Sequence, residues 1–306
     1  MTLASRVAQR EGELLLFALT PPRTTTDPER AQEIADLTRE RLSPLDLDGL
    51  VLYDIDDESD RNPAERPFPF LPTMDPAQFS SRHLAGWDLP VVVYRAVGKY
   101  EEDDLRTWLG AQDAEDVLTV FVGASSKDKR TATSLARAQE LRAQTRPDLL
   151  LGGVAIAERH TRRGTEHERL LAKQEAGCSF FVTQVVYDVN AAKNLVSDYH
   201  YACLERGVEP VPLVFTFSVC GSLRTLEFLG WLGVDVPQWI RNDLRHALDT
   251  LEASYQHALG AARELIAFCR HLGVPFGVNV ESVSIRRAEI EASVELARQL
   301  AGELRR

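Results

Sequence analysis

The chain contains little cysteine, and its cysteines do not have the spacing of a zinc site. Cys178, Cys203, Cys220 and Cys269 lie far apart in sequence with no CxxC pair, and the seven histidines form no HExxH motif. Neither a disulfide framework nor a structural metal is therefore expected. The cysteines are interpreted as small core residues in a reducing compartment, which predicts a cytoplasmic protein.

Long apolar runs and excess positive charge are also absent. No run approaches the ~20 residues that a membrane-spanning helix needs, and residues 1–10 lack the apolar segment of a secretory signal. The net charge is −11, whereas non-specific binding to nucleic acid requires Lys and Arg to neutralise phosphates. We therefore expect neither a membrane nor a nucleic-acid partner. The sequence carries no signal for the oligomeric state.

Apolar runs of strand length are what the chain does contain. They recur eight times, at 14–19, 49–53, 90–94, 117–122, 149–155, 178–183, 211–216 and 274–280. Most are continuous rather than alternating, as in strands buried on both faces. Stretches with helical spacing lie between them, at 28–42, 75–85, 101–110, 130–144, 164–176, 189–206, 222–232, 238–271 and 284–304.

This alternation predicts an α/β protein, a single-domain (β/α)8 TIM barrel spanning residues 1–306. Such a barrel needs about 250 residues. A doubly wound open sheet is the alternative. That fold would be favoured by a GxGxxG motif after the first strand, but residues 16–22 contain no glycine.

Polar residues follow the predicted strands, and in a barrel these strand ends converge on one face, where ligands bind. The residues are Thr20, Asp54 with Asp56, Tyr94 with Arg95, Ser125 with Ser126, Glu158 with His160, Gln184, Thr216 with Ser218, and Asn279 with Glu281. Four aromatic residues, Tyr53, Tyr94, Tyr187 and Phe217, could stack on a flat ring. Such a site suits a planar ligand rich in heteroatoms, such as a pterin, flavin or nicotinamide.

Two of these polar residues have competing interpretations. Gln184 offers a donor and an acceptor on one group, which could read the edge of a pterin-like ring or satisfy neighbouring backbone groups. Glu281 follows a run of buried residues, where a carboxylate is costly unless it is paired or used. It is either a ligand anchor or acid–base group, or the partner of Arg286 or Arg287 in a salt bridge.

The remaining charged candidates also leave alternatives open. Glu158 and His160 are two residues apart, so on an extended segment they would point to the same side. They would either orient one another or cap the following loop. Lys173 lies in a helical stretch, where a solvated surface lysine is the competing interpretation. The acidic residues between 54 and 60 are interpreted as a solvated loop rather than a metal site.

Five short motifs, in order and at matching spacings, make the chain resemble the catalytic domain of methylenetetrahydrofolate reductase, a (β/α)8 barrel enzyme of one-carbon metabolism. Pro21-Pro22-Arg23 is similar to the family's Pro-Pro-Arg, and residues 154–160 are similar to its strand ending in Pro-Glu-x-His, with Ala157 in place of the proline. The other three are residues 173–177, similar to Lys-x-Asp-Ala-Gly, residues 182–188, similar to Ile-Thr-Gln-Phe-Phe-Phe-Asp, and residues 234–239, similar to Ile-Pro-x-Trp.

The resemblance implies reduction of 5,10-methylene-tetrahydrofolate to 5-methyl-tetrahydrofolate, with NADH or NADPH as hydride donor and FAD as the family cofactor. It places Gln184, with Thr183 and Tyr187 of the same motif, at the folate, and Phe217 near a folate-stacking loop. On the flavin side it places Glu158, His160 and Lys173, together with Tyr94 in place of a family histidine and Ser125 in the stretch that carries Arg-Gly-Asp in the family.

The departures from the family pattern concern catalytic and flavin-side positions. Ala18 stands where the family has the glutamate thought to be the general acid, and residues 122–125 lack the aspartate beside the flavin. Ile156 replaces a tyrosine, and residues 278–281 resemble divergent relatives described as working without bound flavin. Tight FAD binding is therefore not expected. Glu281 is the first candidate for the missing acid and Asp54 is the second.

Three functions remain open on the sequence alone. The first is a reductase of this kind, and the second is a folate-binding barrel that has lost reductase chemistry. The third is an unrelated barrel lyase or aldolase, which would usually need a Schiff-base lysine at a strand end. The eight predicted strand ends contain no lysine.

Overall fold

Eight parallel strands close into a barrel in which each strand pairs with the next and the last pairs with the first. The computed structural model describes residues 1–57, 62, 64–124 and 129–305. The strands are β1 (Leu14–Leu19), β2 (Gly49–Leu52), β3 (Val91–Ala96), β4 (Val117–Val122), β5 (Leu151–Ala155), β6 (Cys178–Val185), β7 (Leu213–Ser218) and β8 (Phe276–Glu281). The predicted (β/α)8 barrel is confirmed, and the open sheet is wrong.

Helices surround the barrel. They are α1 (Leu3–Ala8), α2 (Pro28–Leu42), α3 (Pro76–His83), α4 (Glu102–Gly110), α5 (Leu135–Thr145), α6 (Ala157–Arg163), α7 (Glu166–Glu175), α8 (Val189–Arg206), α9 (Leu223–Trp231), α10 (Gln238–His246), α11 (Thr250–Leu272) and α12 (Arg287–Leu304). A short 3-10 helix covers Val97–Lys99. Among the residues described, no helix combines the length and the apolar character needed to cross a membrane.

Several helix ends follow local sequence signals. The side chains of Asp27 and Asp75 each cap a helix that begins with proline, and both accept a backbone N–H of the first turn. Gly207 and Gly273 end α8 and α11 in the left-handed conformation, which glycine adopts without steric cost. Two helices that the apolar pattern did not predict, α1 and α6, are only 6 and 7 residues long.

The core has two layers, because alternate residues of each strand face opposite sides of the barrel wall. The interior layer contains Leu14, Leu16, Ala18, Val51, Val92, Tyr94, Leu118, Val120, Phe180, Val182 and Val214. The larger outer layer packs the other face of the strands against the helices. The polar groups at the carboxyl ends of the strands therefore lie next to a closely packed apolar interior.

Gly152 of β5 is required by this packing. A Cβ atom there would lie 2.5 Å from Cζ of Phe180 and 2.8 Å from Cγ2 of Val120. We expect Gly152→Ala to lower the free energy of unfolding by about 1–3 kcal/mol, because the interior must shift to accept a methyl group. Urea denaturation measures the change.

Gly260 provides the matched control. It lies within α11, and a Cβ there meets no atom within 4 Å. Gly260→Ala should leave stability unchanged or raise it by up to about 1 kcal/mol, since alanine favours helix. Equal stability of the two variants would contradict the packing argument.

Candidate functional site

A cavity of about 1170 Å³ opens at the carboxyl ends of the strands and continues outward between helices. The candidates from sequence that line it are Thr20, Tyr53, Asp54, Tyr94, Lys173, Thr183, Gln184, Thr216 and Glu281. One extension reaches α2 and α12, and another reaches α5 and α7. Strand order alone thus brings together groups that lie far apart in sequence, such as Asp54 and Glu281, which are separated by 227 positions.

Glu281 occupies the last position of β8, directly beside Ala18 of β1 in the parallel ladder. Neighbouring strands are about 4.8 Å apart, and paired residues point to the same side of the sheet. Ala18 belongs to the interior layer, so the Glu281 side chain projects into the same mouth. The carboxyl group therefore lies one strand away from the position where the family carries its acid.

Burial sets the protonation of this carboxyl group. Loss of hydration raises the pKa of Glu281 to about 7, and a hydrogen bond with Tyr53 opposes the shift. Arg286 and Arg287, the salt-bridge partners considered from sequence, instead face Glu289 and Glu291. Glu281 is thus a carboxyl group that exchanges a proton near neutral pH, as a general acid requires.

Two tyrosines stand beside this carboxyl group. The rings of Tyr53 and Tyr94 meet edge to face, with centroids 4.9 Å apart. Burial, followed by the charge of Glu281, raises the pKa of both phenols, so both remain neutral. Nδ2 of Asn279 donates to the Tyr53 hydroxyl at 3.1 Å, which leaves the tyrosine orientation fixed.

Asn279 and Gln184 each present an acceptor that no described group satisfies. Nδ2 of Asn279 also donates to Oγ1 of Thr216 at 3.2 Å, and Nε2 of Gln184 donates to the Leu232 carbonyl at 2.8 Å. Oδ1 of Asn279 and Oε1 of Gln184 are buried and have no partner in the described part of the chain. Because buried polar atoms are normally paired and Gln184 lines the cavity, its oxygen is suited to receive an N–H group of a ligand. Asn279 is fully buried and does not line the cavity, so its contacts serve to hold Tyr53 and Thr216.

A local irregularity positions Gln184. The β6–β7 register shifts between Val182 and Val185. Thr183 holds this segment, since the Thr216 N–H donates to its Oγ1 at 3.0 Å and the Thr216 hydroxyl donates to its carbonyl at 2.9 Å. Thr183 therefore acts on the site through Gln184 and the strand end.

Asp54 is fully engaged by its surroundings. Its carboxylate accepts from Lys99 Nζ at 2.5 Å, from the Ala96 N–H at 2.8 Å and from the Tyr100 hydroxyl at 2.9 Å. These contacts tie the end of β2 to the segment after β3. Its carboxylate oxygens are thus already occupied by three donors of the protein, which gives Asp54 a structural role.

The proposed pairing of Glu158 and His160 on one face is wrong. The chain forms helix α6 at this point, and residues two apart on a helix point about 200° from each other. Oε1 of Glu158 accepts the Asp235 N–H at 3.3 Å, and burial raises the pKa of Glu158. Nε2 of His160 lies 2.9 Å from Oδ2 of Asp198 on α8. Neither residue lines the cavity.

Lys173 is not a solvated surface lysine. Its ammonium group donates to the Val154 carbonyl, and burial lowers its pKa. It lines the extension of the cavity between α5 and α7. Of the other candidates, Ser125 lies outside the described residues, as do Ser126, Glu58 and Asp60.

Phe217 and Tyr187 lie away from the cavity. Strand β7 continues to Ser218, which turns the Phe217 ring outward into the layer beneath the helices. Tyr187 is buried in a separate cluster around α9 and α10, with its hydroxyl 3.5 Å from the Ser254 hydroxyl. The structure therefore does not bring these two rings to the folate positions that the resemblance suggested.

The aromatic wall of the cavity comes instead from the loop after β2 and from α9. Phe70 and Phe228 line it, and the Arg66 guanidinium lies 5.6 Å and 5.2 Å from the centres of these two rings. Nε1 of Trp231 donates to the Ala64 carbonyl at 2.8 Å, which holds the loop against α9. Sequence reasoning missed this wall, for which the alternation of proline and phenylalanine from Pro67 to Phe70 is the available signal.

The fold and the site define a (β/α)8 barrel with a buried carboxyl group, that of Glu281, and an unpaired amide oxygen, that of Gln184, at its mouth. The family model for methylenetetrahydrofolate reductase matches residues 156–278. A solved structure, described as an uncharacterized protein from Clostridium thermocellum that binds two copies of 5-methyl-5,6,7,8-tetrahydrofolic acid, is 40% identical, with a TM-score of 0.87, over 98% of this chain and 99% of that one. The chain belongs to the methylenetetrahydrofolate reductase family.

More distant similarity concerns the fold alone. A β-1,4-mannanase in a complex structure is 10% identical, with a TM-score of 0.52, over 95% of this chain and 99% of that one. A search of proteins with curated functions found no match.

The described residues do not fit the flavin that the family implies. Glu158 and His160 make their contacts outside the cavity, and Lys173 is bound to a backbone carbonyl. The described end of the β4 segment, Val122 to Ala124, carries no carboxylate. Of the four described positions expected to hold a flavin, Tyr94 and Lys173 line the cavity and Glu158 and His160 do not, so the four do not form one surface.

Proposed function

We propose that the protein reduces 5,10-methylene-tetrahydrofolate to 5-methyl-tetrahydrofolate, with NADH or NADPH as a direct hydride donor and without flavin. The observation that carries the proposal is Glu281, a carboxyl group with a pKa of about 7 beside the alanine that replaces the family's acid. The folate bound by the Clostridium thermocellum relative, 5-methyl-tetrahydrofolate, is the product of this reaction. Such an enzyme supplies methyl groups to cytoplasmic one-carbon metabolism, including methionine biosynthesis.

Glu281 would act as the general acid. Its proton passes to a nitrogen of the imidazolidine ring, and the bond from that nitrogen to the methylene carbon breaks to leave an iminium ion. Hydride from the dihydronicotinamide then adds to the methylene carbon and forms the methyl group. The protein supplies the proton, the orientation of the two substrates and a cavity with restricted access to water. Solvent returns the proton to Glu281.

Gln184 would bind the pterin edge through its unpaired oxygen. We expect Gln184→Leu to weaken 5-methyl-tetrahydrofolate binding about 10- to 100-fold, because a ligand N–H would lose its buried acceptor. Isothermal titration calorimetry measures the affinity. Gln139→Leu is the control, since Gln139 lines the extension near α5, and it should bind folate as the unchanged protein does. Equal loss in both variants would contradict the assignment.

Turnover by the purified protein tests the function directly. The protein is scanned for flavin absorbance and then mixed with methylene-tetrahydrofolate and either nucleotide. Oxidation of the nucleotide by a colourless protein is the expected result, and the faster nucleotide identifies the donor. Turnover that requires added flavin would contradict the flavin-free mechanism.

The alternative is a folate-binding barrel without reductase activity, serving in sensing or with a partner protein. The absence of the family's acid at Ala18 is the observation that favours it. Folate binding with no oxidation of either nucleotide would establish this alternative.

A further inference from the structure

Three side chains on the outside of the barrel form a cluster that the folate site does not use. His160 projects from α6, His167 from the first turn of α7 and Asp198 from α8. One possible ligand atom from each lies within 4.8 Å of the others. None of the three lines the large cavity, so the cluster is separate from the folate site.

We propose that His160, His167 and Asp198 bind a divalent transition metal ion of the zinc type. Two imidazole nitrogens and one carboxylate oxygen are ligands that zinc accepts, and three protein ligands leave a fourth position for water. The Asp198 side chain is 53% exposed, which gives an ion a route from solvent. His160, by contrast, is only 6% exposed and fixes the inner end of the site.

An unpaired nitrogen of His167 supports this assignment. Nδ1 of His167 is buried, with no hydrogen-bond partner in the described part of the chain, whereas Nε2 of His160 already contacts Asp198. The two rings pack edge to face, with centroids 5.4 Å apart. A purely structural His–Asp pair would explain the contact between His160 and Asp198. It would not explain why the unpaired nitrogen of His167 lies beside that pair.

The geometry requires only small movements. Nε2 of His160 and Oδ2 of Asp198 are 2.9 Å apart, whereas two ligands of a tetrahedral zinc ion are separated by about 3.3 Å, given bonds of about 2.0–2.1 Å. The exposed Asp198 carboxylate can move outward, and the half-buried His167 ring can turn inward. The bound ion would join α6, α7 and α8, of which α7 packs against β5 and β6.

Zinc binding by untagged protein tests this proposal. The protein is dialysed against a chelator, and zinc affinity is measured by competition with a chromophoric chelator. We expect one equivalent of zinc per chain. His167→Gln and Asp198→Asn should weaken binding by more than about 100-fold, the upper end of the loss seen when only an outer-shell partner of a metal ligand is removed. These two positions are chosen because they are less buried than His160 and their replacement spares the core.

His257→Gln is the matched control. His257 forms a similar surface pair with Asp243, with 2.7 Å between Nε2 and Oδ2, and the control variant should bind zinc as the unchanged protein does. Zinc should also raise the denaturation midpoint of the unchanged protein and of His257→Gln. It should leave the midpoints of His167→Gln and Asp198→Asn unchanged. Absence of tight binding, or the same affinity in all variants, would overturn the proposal. Folate affinity is measured in parallel, and its outcome is independent of this one.

Discussion

Glu281→Gln is expected to lower the turnover of methylene-tetrahydrofolate by about 100- to 10,000-fold, the contribution of a positioned general acid. The amide keeps the size of the side chain but cannot supply the proton that opens the ring. Folate affinity should stay nearly unchanged, because the pterin edge is assigned to Gln184. Single-turnover kinetics and calorimetry measure the two quantities separately.

The pH dependence gives a second test of the same residue. The acid must be protonated to act, so turnover should fall as the pH rises through the Glu281 pKa of about 7. The residual turnover of Glu281→Gln should not fall over this pH range. Because the folded-state pKa is raised, the carboxyl group binds its proton more tightly in the folded chain, and its contribution to stability is lost between about pH 4.5 and 7. Glu281→Gln should remove that loss.

Two comparisons decide whether the effect belongs to Glu281. Glu291→Gln removes an exposed carboxylate that pairs with Arg287, and it should turn over at the normal rate. Placing a glutamate at Ala18 in the Glu281→Gln background returns an acid to the neighbouring strand and should restore part of the activity. Normal turnover by Glu281→Gln alone would end the assignment.

Asp54→Ala is expected to destabilise the fold by about 3 kcal/mol, within the range for breaking a buried ion pair by removal of one partner. The substitution leaves Lys99, the Ala96 N–H and the Tyr100 hydroxyl without their shared acceptor. Partial exposure of Lys99, at 32%, keeps the expected loss at the lower end of that range. Guanidinium denaturation measures the change.

Asp56→Ala is the matched control for this substitution. Asp56 pairs with Lys129, and both side chains are partly exposed, so the loss should be below about 1 kcal/mol. Turnover per folded molecule should fall far less in Asp54→Ala than in Glu281→Gln. A larger fall in turnover in Asp54→Ala than in Glu281→Gln would identify Asp54 as the acid and would contradict its structural role.

The sequence predicted the barrel well because continuous apolar runs mark strands covered on both faces. The limits of β1 and β4 matched those runs, as did those of α2 and α8. The shared cavity of Gln184 and Glu281 followed from the rule that strand ends converge. These features depend on burial and on order along the chain, and both can be read from one sequence.

Side-chain direction was less predictable, because it depends on where each strand ends. Extension of β7 to Ser218 turned Phe217 outward, and the immediate start of α6 separated Glu158 from His160. Spacing also gave no indication of the cluster that includes Asp198, since its members meet only when α6 and α7 pack beside α8. Contacts of this kind arise from tertiary packing.

The pairing of β1 with β8 determines when, during synthesis of the chain, the candidate site can be complete. Ala18 is made early and Glu281 is made late, yet the two become neighbours only when the cylinder closes. Chains emerge from the ribosome with the N-terminal part first. A nascent chain that stops before β8 thus lacks both the proposed proton donor, Glu281, and a closed barrel wall, so the proposed chemistry can begin only with the last strand.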